Sequence, residues 1–231
     1  MESEQKLKIS VSGDFMEKLR RTQRRLSRKL VIENDLIHPE EVRYVAGVDV
    51  SYKGKFSFGA VSVLKLPELE EVEVKTVVNE ALFPYIPTFL GFREVPAVLP
   101  AIKNLKIKPE VFLVDGHGYA HPERFGFASH LGLILKTPTI GVAKSILTGK
   151  LESSSDVGYV WIKDKGEIVG VALQLDKAKK PIFVSVGSYI TLPSAIRIVK
   201  RSIKFGNTPE PIRYAHLAAN EEKNRLGERI N

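Results

Sequence analysis

Apolar residues along this chain first alternate with polar ones and then fall at helical spacing, and the change of period marks out its elements. From Arg43 to about Glu80 a period of two runs through VRYVAGVDVSY, FGAVSVLKL and EEVEVKTVV, with breaks at Gly54 and Pro67. Connections this short join antiparallel neighbours, so a three-stranded meander is expected. After FPYIP, residues Phe92, Val95, Leu99, Ile102 and Leu105 share one face of a helix. Two prolines disturb that helix: Pro96 is tolerable in a first turn and Pro100 is expected to kink the turns downstream of it, so the pattern does not fix its start.

EVFLVDG, FGFASHLGLILK and PTIGVA read as strand, helix and strand, a βαβ unit with buried parallel strands. GYVWIKD, EIVGVALQL and PIFVSV are further strands, followed by helices over about Leu192 to Lys204 and Pro211 to Arg229. Thr208 and Pro209 form the start signal of the second helix. The order predicts an α/β protein whose mixed sheet, an antiparallel meander plus parallel strands, is flanked by helices.

The 231 residues, 43% of them hydrophobic, are enough for one core, so residues 1–231 are read as a single domain. A basic helix is expected at about 14–31. Between Lys18 and Lys29 seven of twelve residues are basic, while Phe15, Leu19, Leu26 and Leu30 recur on another face. Such a helix either docks with a solvated basic face or meets phosphates directly. Thirty-five basic against twenty-seven acidic residues leave +8, which favours a polyanionic partner, nucleic acid first. No run approaches a membrane span and MESEQKLKIS lacks a secretory apolar core, so a soluble, cytoplasmic protein is expected. With no cysteine, any metal must be held by oxygen or imidazole.

Four residues stand out as candidates. Asp49 interrupts the apolar run VAGVDVS; alternation places it on one face with Val45, Gly47 and Ser51, and Gly47 leaves room beside it for a metal. Pairing with a nearby arginine, or exposure at a sheet end, is the competing explanation. Asp115 follows VFLV and precedes two glycines, at the carboxyl end of a parallel strand where open α/β sheets bind ligands, although an Asp also simply starts turns. Glu94 sits near a helix start, where the helix dipole alone favours a carboxylate. His216, in RYAHLAAN, is by itself an ordinary packed or surface imidazole. Together, three carboxylates and an imidazole would suit phosphodiester hydrolysis.

The motifs VAGVDVSY, FPYIPTFLGFRE, VDGHGYAHPERFGFASHLG, TIGVAKS, PIFVSVG and RYAHLA, in that order, resemble the endonuclease V family, and the resemblance runs from about Val45 to Ala219. It implies a ribonuclease H-like fold and a magnesium site, open to manganese, in which Asp49, Glu94 and Asp115 match the metal-holding carboxylates and His216 and Lys144 match further catalytic positions. The implied substrate is DNA containing deaminated bases, and the implied reaction is hydrolysis of the second phosphodiester bond 3′ to hypoxanthine, leaving a 3′-hydroxyl and a 5′-phosphate. Pro84, Tyr85, Ile86 and Pro87 match a strand-separating wedge; read without the family, they form a rigid turn with a half-buried tyrosine. Thr88, Leu90, Gly116, His121, Gly126 and Phe127 match a lesion pocket made largely of backbone, with Thr88 standing where many relatives carry glycine. Inosine-containing RNA as substrate, or a non-catalytic nucleic-acid-binding protein, are the alternatives. A monomer is expected.

Overall fold

The computed structural model describes residues 12–153, 158–175 and 180–230. The opening segment MESEQKLKIS lies outside them. The first helix, α1 (Gly13–Ser27), is capped by the Ser12 hydroxyl, which accepts from the Phe15 N–H. It stops well short of the expected limit at 31, and the cause is tertiary. The Val31 N–H donates to the Ser188 hydroxyl at 3.1 Å and the Val31 carbonyl accepts from the Tyr189 N–H, so the chain is drawn out of the helix.

β1 (Tyr44–Lys53), β2 (Phe56–Lys65) and β3 (Glu70–Glu80) form the antiparallel meander, with Asp49 set against Ala60. α2 (Leu90–Lys103) crosses back so that β4 (Val111–Asp115) runs parallel to β1, and α3 (Phe127–Leu135) returns the chain to β5 (Thr139–Ala143), parallel to β4. β6 (Lys150–Glu152), β7 (Tyr159–Asp164), β8 (Glu167–Leu173) and β9 (Ile182–Ser188) are joined antiparallel. α4 (Leu192–Arg201) and α5 (Glu210–Ile230) complete the order. The resulting nine-stranded sheet runs β3-β2-β1-β4-β5-β9-β8-β7-β6, mixed as the alternation predicts. β6 had no sequence signal because its three residues are all exposed and so carry no apolar alternation.

Two apolar layers sandwich the sheet. On one face Ala46, Val48, Val61 and Val114 pack against Val95, Val98 and Ala101 of α2 and Leu131 of α3. On the other, Val45, Leu113, Ile140 and Val184 pack against Ile198 of α4 and Ile212 of α5. Burying such side chains contributes about 1.5–3 kcal/mol each, enough to offset a proline inside a helix. That decides the fate of α2, which contains both Pro96 and Pro100 in its interior instead of starting at Pro96. The two lie four residues apart, so both fall on the same side of the helix, and Pro96 is exposed. Gly59 of β2 lets this helix lie close, since a Cβ there would stand 2.1 Å from the Ala97 carbonyl oxygen.

Candidate active site at the end of strand β4

β1 and β4 pair in parallel up to Val48 and Val114, which makes Asp49 and Asp115 neighbours one residue further on. There β4 ends, while β1 continues to Lys53 beside β2. Glu94 arrives from the opposite face. It is the fifth residue of α2, not a first-turn residue, and it is 9% exposed. The charges of Asp49 and Asp115 both reach it and, after burial itself, hold its carboxyl well above the usual range, against the opposing pull of Arg93. Burial first and then Asp115 likewise raise Asp49, while a hydrogen bond from His216 works in the other direction.

The sequence reading leaves room for a metal beside Gly47, but the structure fills that room with protein. A Cβ on Gly47 would stand 2.0 Å from the carbonyl carbon of Pro211, so glycine here admits the first turn of α5 onto β1. From that seat the helix runs along the strand. Four helical residues advance about 6 Å and two strand residues about 6.6 Å, so successive turns meet successive same-face positions. Gly47 meets the Pro211–Ile212 peptide, Asp49 meets His216 and Ser51 meets Asn220, so Ile212, His216 and Asn220 follow at four-residue steps.

His216 Nδ1 lies 2.7 Å from Asp49 Oδ2, and its Nε2 lies 3.0 Å from the Asn220 amide nitrogen. The Asn220 oxygen accepts from the Ser51 hydroxyl at 2.9 Å, which leaves its amide nitrogen as the donor to the ring. With Nε2 as the acceptor from Asn220, Nδ1 is the donor to Asp49. Asn220 was not foreseen, although its place four residues beyond His216 put it on the same helical face.

Asp115 is held by Lys144, Nζ to Oδ2 at 2.8 Å, and that bond raises the lysine. Arg93 was also not foreseen. Its guanidinium lies 3.8 Å from the Tyr52 ring centroid and 5.9 Å from that of Tyr85, beside Glu94 in the chain. Among the described residues no three acidic or imidazole groups stand close enough to grip an ion as their side chains are placed. The donor set nonetheless suits one. Glu94 is a buried carboxylate with no hydrogen bond or ion pair among the described residues, facing two more carboxylates, and an all-oxygen set of this kind fits a hard divalent cation.

On the other side of Asp115 opens a cleft of about 310 Å³. Tyr85, Ile86, Pro87, Thr88, Leu90, Gly116, His121, Gly126, Phe127 and Lys144 all line it, and Pro84 stands just outside. His117, Ala143, Ser145 and Leu147 line it too, and the first three belong to motifs already singled out, DGHG and GVAKS. His121 is 2% exposed with both nitrogens engaged: Nδ1 accepts from the Glu123 N–H at 3.1 Å and Nε2 donates to the Thr88 carbonyl at 2.8 Å. Burial lowers its pKa to about 4, so it props the loop as a neutral ring. Thr88 takes a left-handed backbone, φ 71°, which is the reason a glycine suits the position. Asp49, Glu94 and His216 do not line the cleft; Asp115 and Lys144 join the two halves of the site.

Residues 24–217 match the family profile described as Endonuclease V. The endonuclease V of Rippkaea orientalis is 43% identical over 215 residues, 91% of this chain and 93% of its own length. Among solved structures, endonuclease V of Streptomyces avermitilis superposes with a TM-score of 0.84 at 34% identity, covering 91% of this chain and 94% of its own. Endonuclease V of Ciona intestinalis, in complex with a DNA 24mer containing an inosine followed by a ribo-adenosine, gives a TM-score of 0.85 at 30% identity, covering 92% of this chain and 99% of its own. No helix among the described residues is long and apolar enough to cross a membrane. With sequence similarity spanning nearly its whole length and a fold shared with solved relatives, the chain belongs to the endonuclease V family and is a nuclease.

Proposed function

We propose that this nuclease recognises hypoxanthine in DNA and hydrolyses the second phosphodiester bond on its 3′ side, with magnesium, or manganese in its place, held by Asp49, Glu94 and Asp115. The observation that carries the reading is the junction at Asp115, where a carboxylate cluster adjoins a cleft at the small end of the usual range for ligand sites. The Ciona relative's inosine-containing DNA supports the same substrate. When bound, the cation supplies positive charge against the phosphoryl oxygens and acidifies a water.

The chain's own residues do the rest. His216, fixed as an Nδ1–H donor by Asn220, favours the ionised form of Asp49. Lys144 shares its charge between Asp115 and an incoming phosphate. Tyr85, 66% exposed and set between Pro84 and Pro87, fills the gap that a flipped base leaves. Leu90 and Phe127 cover the base in the cleft, and backbone groups at Thr88, Gly116 and Gly126 read its edge. Hypoxanthine presents a carbonyl and a ring N–H where adenine has an amino group, so fixed backbone partners would leave adenine's polar edge unpaired.

RNA remains a second substrate to test for one reason: the Ciona relative's DNA carries a 2′-hydroxyl on the nucleotide that follows the inosine. The deciding experiment uses end-labelled inosine strands of DNA and RNA beside matched adenine strands, with magnesium and with chelator. A single magnesium-dependent cut directly after the inosine's 3′ neighbour is expected, with adenine strands intact. Absence of cutting, or cutting that ignores inosine, overturns the reading.

A further inference from the structure

We propose that Gln23 is a positioning residue for base selection: its amide ties the basic helix to two segments of the cleft wall and sets the cleft's width. The inference rests on the base-reading role given to the cleft under the proposed function. Gln23 is the buried residue of α1, 2% exposed among solvent-facing arginines and lysines. Its Nε2 donates to the Thr88 carbonyl at 2.8 Å and to the Phe125 carbonyl at 3.2 Å. Two carbonyl acceptors fix which end of the amide is nitrogen. Thr88 closes the loop that begins at Pro84, and Phe125 precedes Gly126 and Phe127, so one side chain holds both segments.

Packing alone does not ask for an amide here. The Gln23 Oε1 is buried without a hydrogen-bond partner, a penalty that an apolar side chain of equal length would avoid. What the amide adds is its hold on the two carbonyls. The Thr88 carbonyl needs such a hold, because its residue is β-branched and left-handed, and a second donor, His121 Nε2, meets the same oxygen at 2.8 Å. α1 also reaches the start of the loop, where the Phe15 and Phe83 ring centroids are 6.5 Å apart, and is pinned by Arg24 to Glu123 at 2.6 Å. A helix able to meet phosphates is thus clamped to both ends of the segment that carries Tyr85.

The test is steady-state cleavage of inosine and adenine DNA strands by wild-type protein and Gln23→Met, which keeps length and loses both donors. Losing two hydrogen bonds is expected to raise KM for the inosine strand about tenfold, with kcat moving less than about twofold. Preference for inosine over adenine falls in step. A general loss of structure would instead lower kcat on both strands and leave KM alone, and that result, like an unchanged KM, overturns the proposal. Should Gln23→Met melt below assay temperature, Gln23→Asn takes its place, because it keeps an amide but cannot reach both carbonyls; the same KM shift is expected. A wild-type protein with no preference for inosine would overturn the functional reading itself before Gln23 enters.

Discussion

Gly47 and Pro211 touch so closely that no side chain fits between them, and this contact seats His216 over Asp49. Replacing Gly47 with alanine forces α5 outward. Overpacking of this kind costs about 1–3 kcal/mol, and displacement of the imidazole should lower kcat as well. Urea denaturation and nicking rates on the same samples check it; a variant as stable and active as wild type would show that α5 is free to slide.

Asp49→Ala is expected to reduce turnover on the order of a thousandfold while inosine-strand binding stays near the wild-type value, because the carboxylate lies apart from the cleft proposed to take the base. Gel-shift titration beside single-turnover cleavage separates the two effects. Equal loss of binding and turnover would move Asp49 into base recognition.

The carboxyl of Glu94 titrates well above its ordinary value of 4.5 in the folded protein, chiefly through burial and then through Asp49. Between the ordinary and the raised value the native state binds more protons than the unfolded one, so metal-free stability falls as pH rises through that window. Glu94→Gln should flatten the fall. Magnesium should stabilise the wild type more as pH rises, since the carboxylates proposed to hold it are then ionised. Thermal melts across pH, with and without magnesium, read all three; a flat metal-free profile for the wild type would contradict the buried, uncompensated carboxylate.

Tyr85→Ala should leave stability within about 0.5 kcal/mol, as expected for a side chain 66% exposed, and should narrow the preference for inosine over undamaged DNA. Competition cleavage with mixed strands measures that ratio directly. An unchanged ratio removes the wedge role.

Binding should weaken with salt, and Arg20→Ala or Arg25→Ala should reduce the slope of log affinity against log salt by about 0.9 for each phosphate no longer neutralised. Both arginines are exposed on α1 and neither forms an ion pair among the described residues. A slope unmoved in both variants would leave α1 a purely structural helix.

The meander, the βαβ unit and the two final helices were legible because each is long enough for its period to show. Val45 to Ser51 also announced the correct face of β1. What covered that face was not legible, since periodicity says where a residue points and not what it meets. Hence Gly47 read as a vacancy when it is a contact point, and Gln23, a polar residue in a basic run, gave no hint of burial. Pro96 left the start of α2 open for a related reason: its local penalty is outweighed by tertiary burial of Val95, Val98 and Ala101. The four chemical groups were identified with the help of family motifs, but their meeting depends on pairings across 167 residues, as between Asp49 and His216.

α5 covers β1 through Ile212, Ala215 and Ala219 and carries His216 on the same turns. A nascent chain that has emerged from the ribosome only through α4 therefore owns Asp49, Glu94 and Asp115 but lacks both the imidazole and the cover over Gly47. Synthesis and competence are ordered by this arrangement: a product that ends before α5 leaves this face of β1 uncovered and, on the proposed mechanism, is expected not to cut.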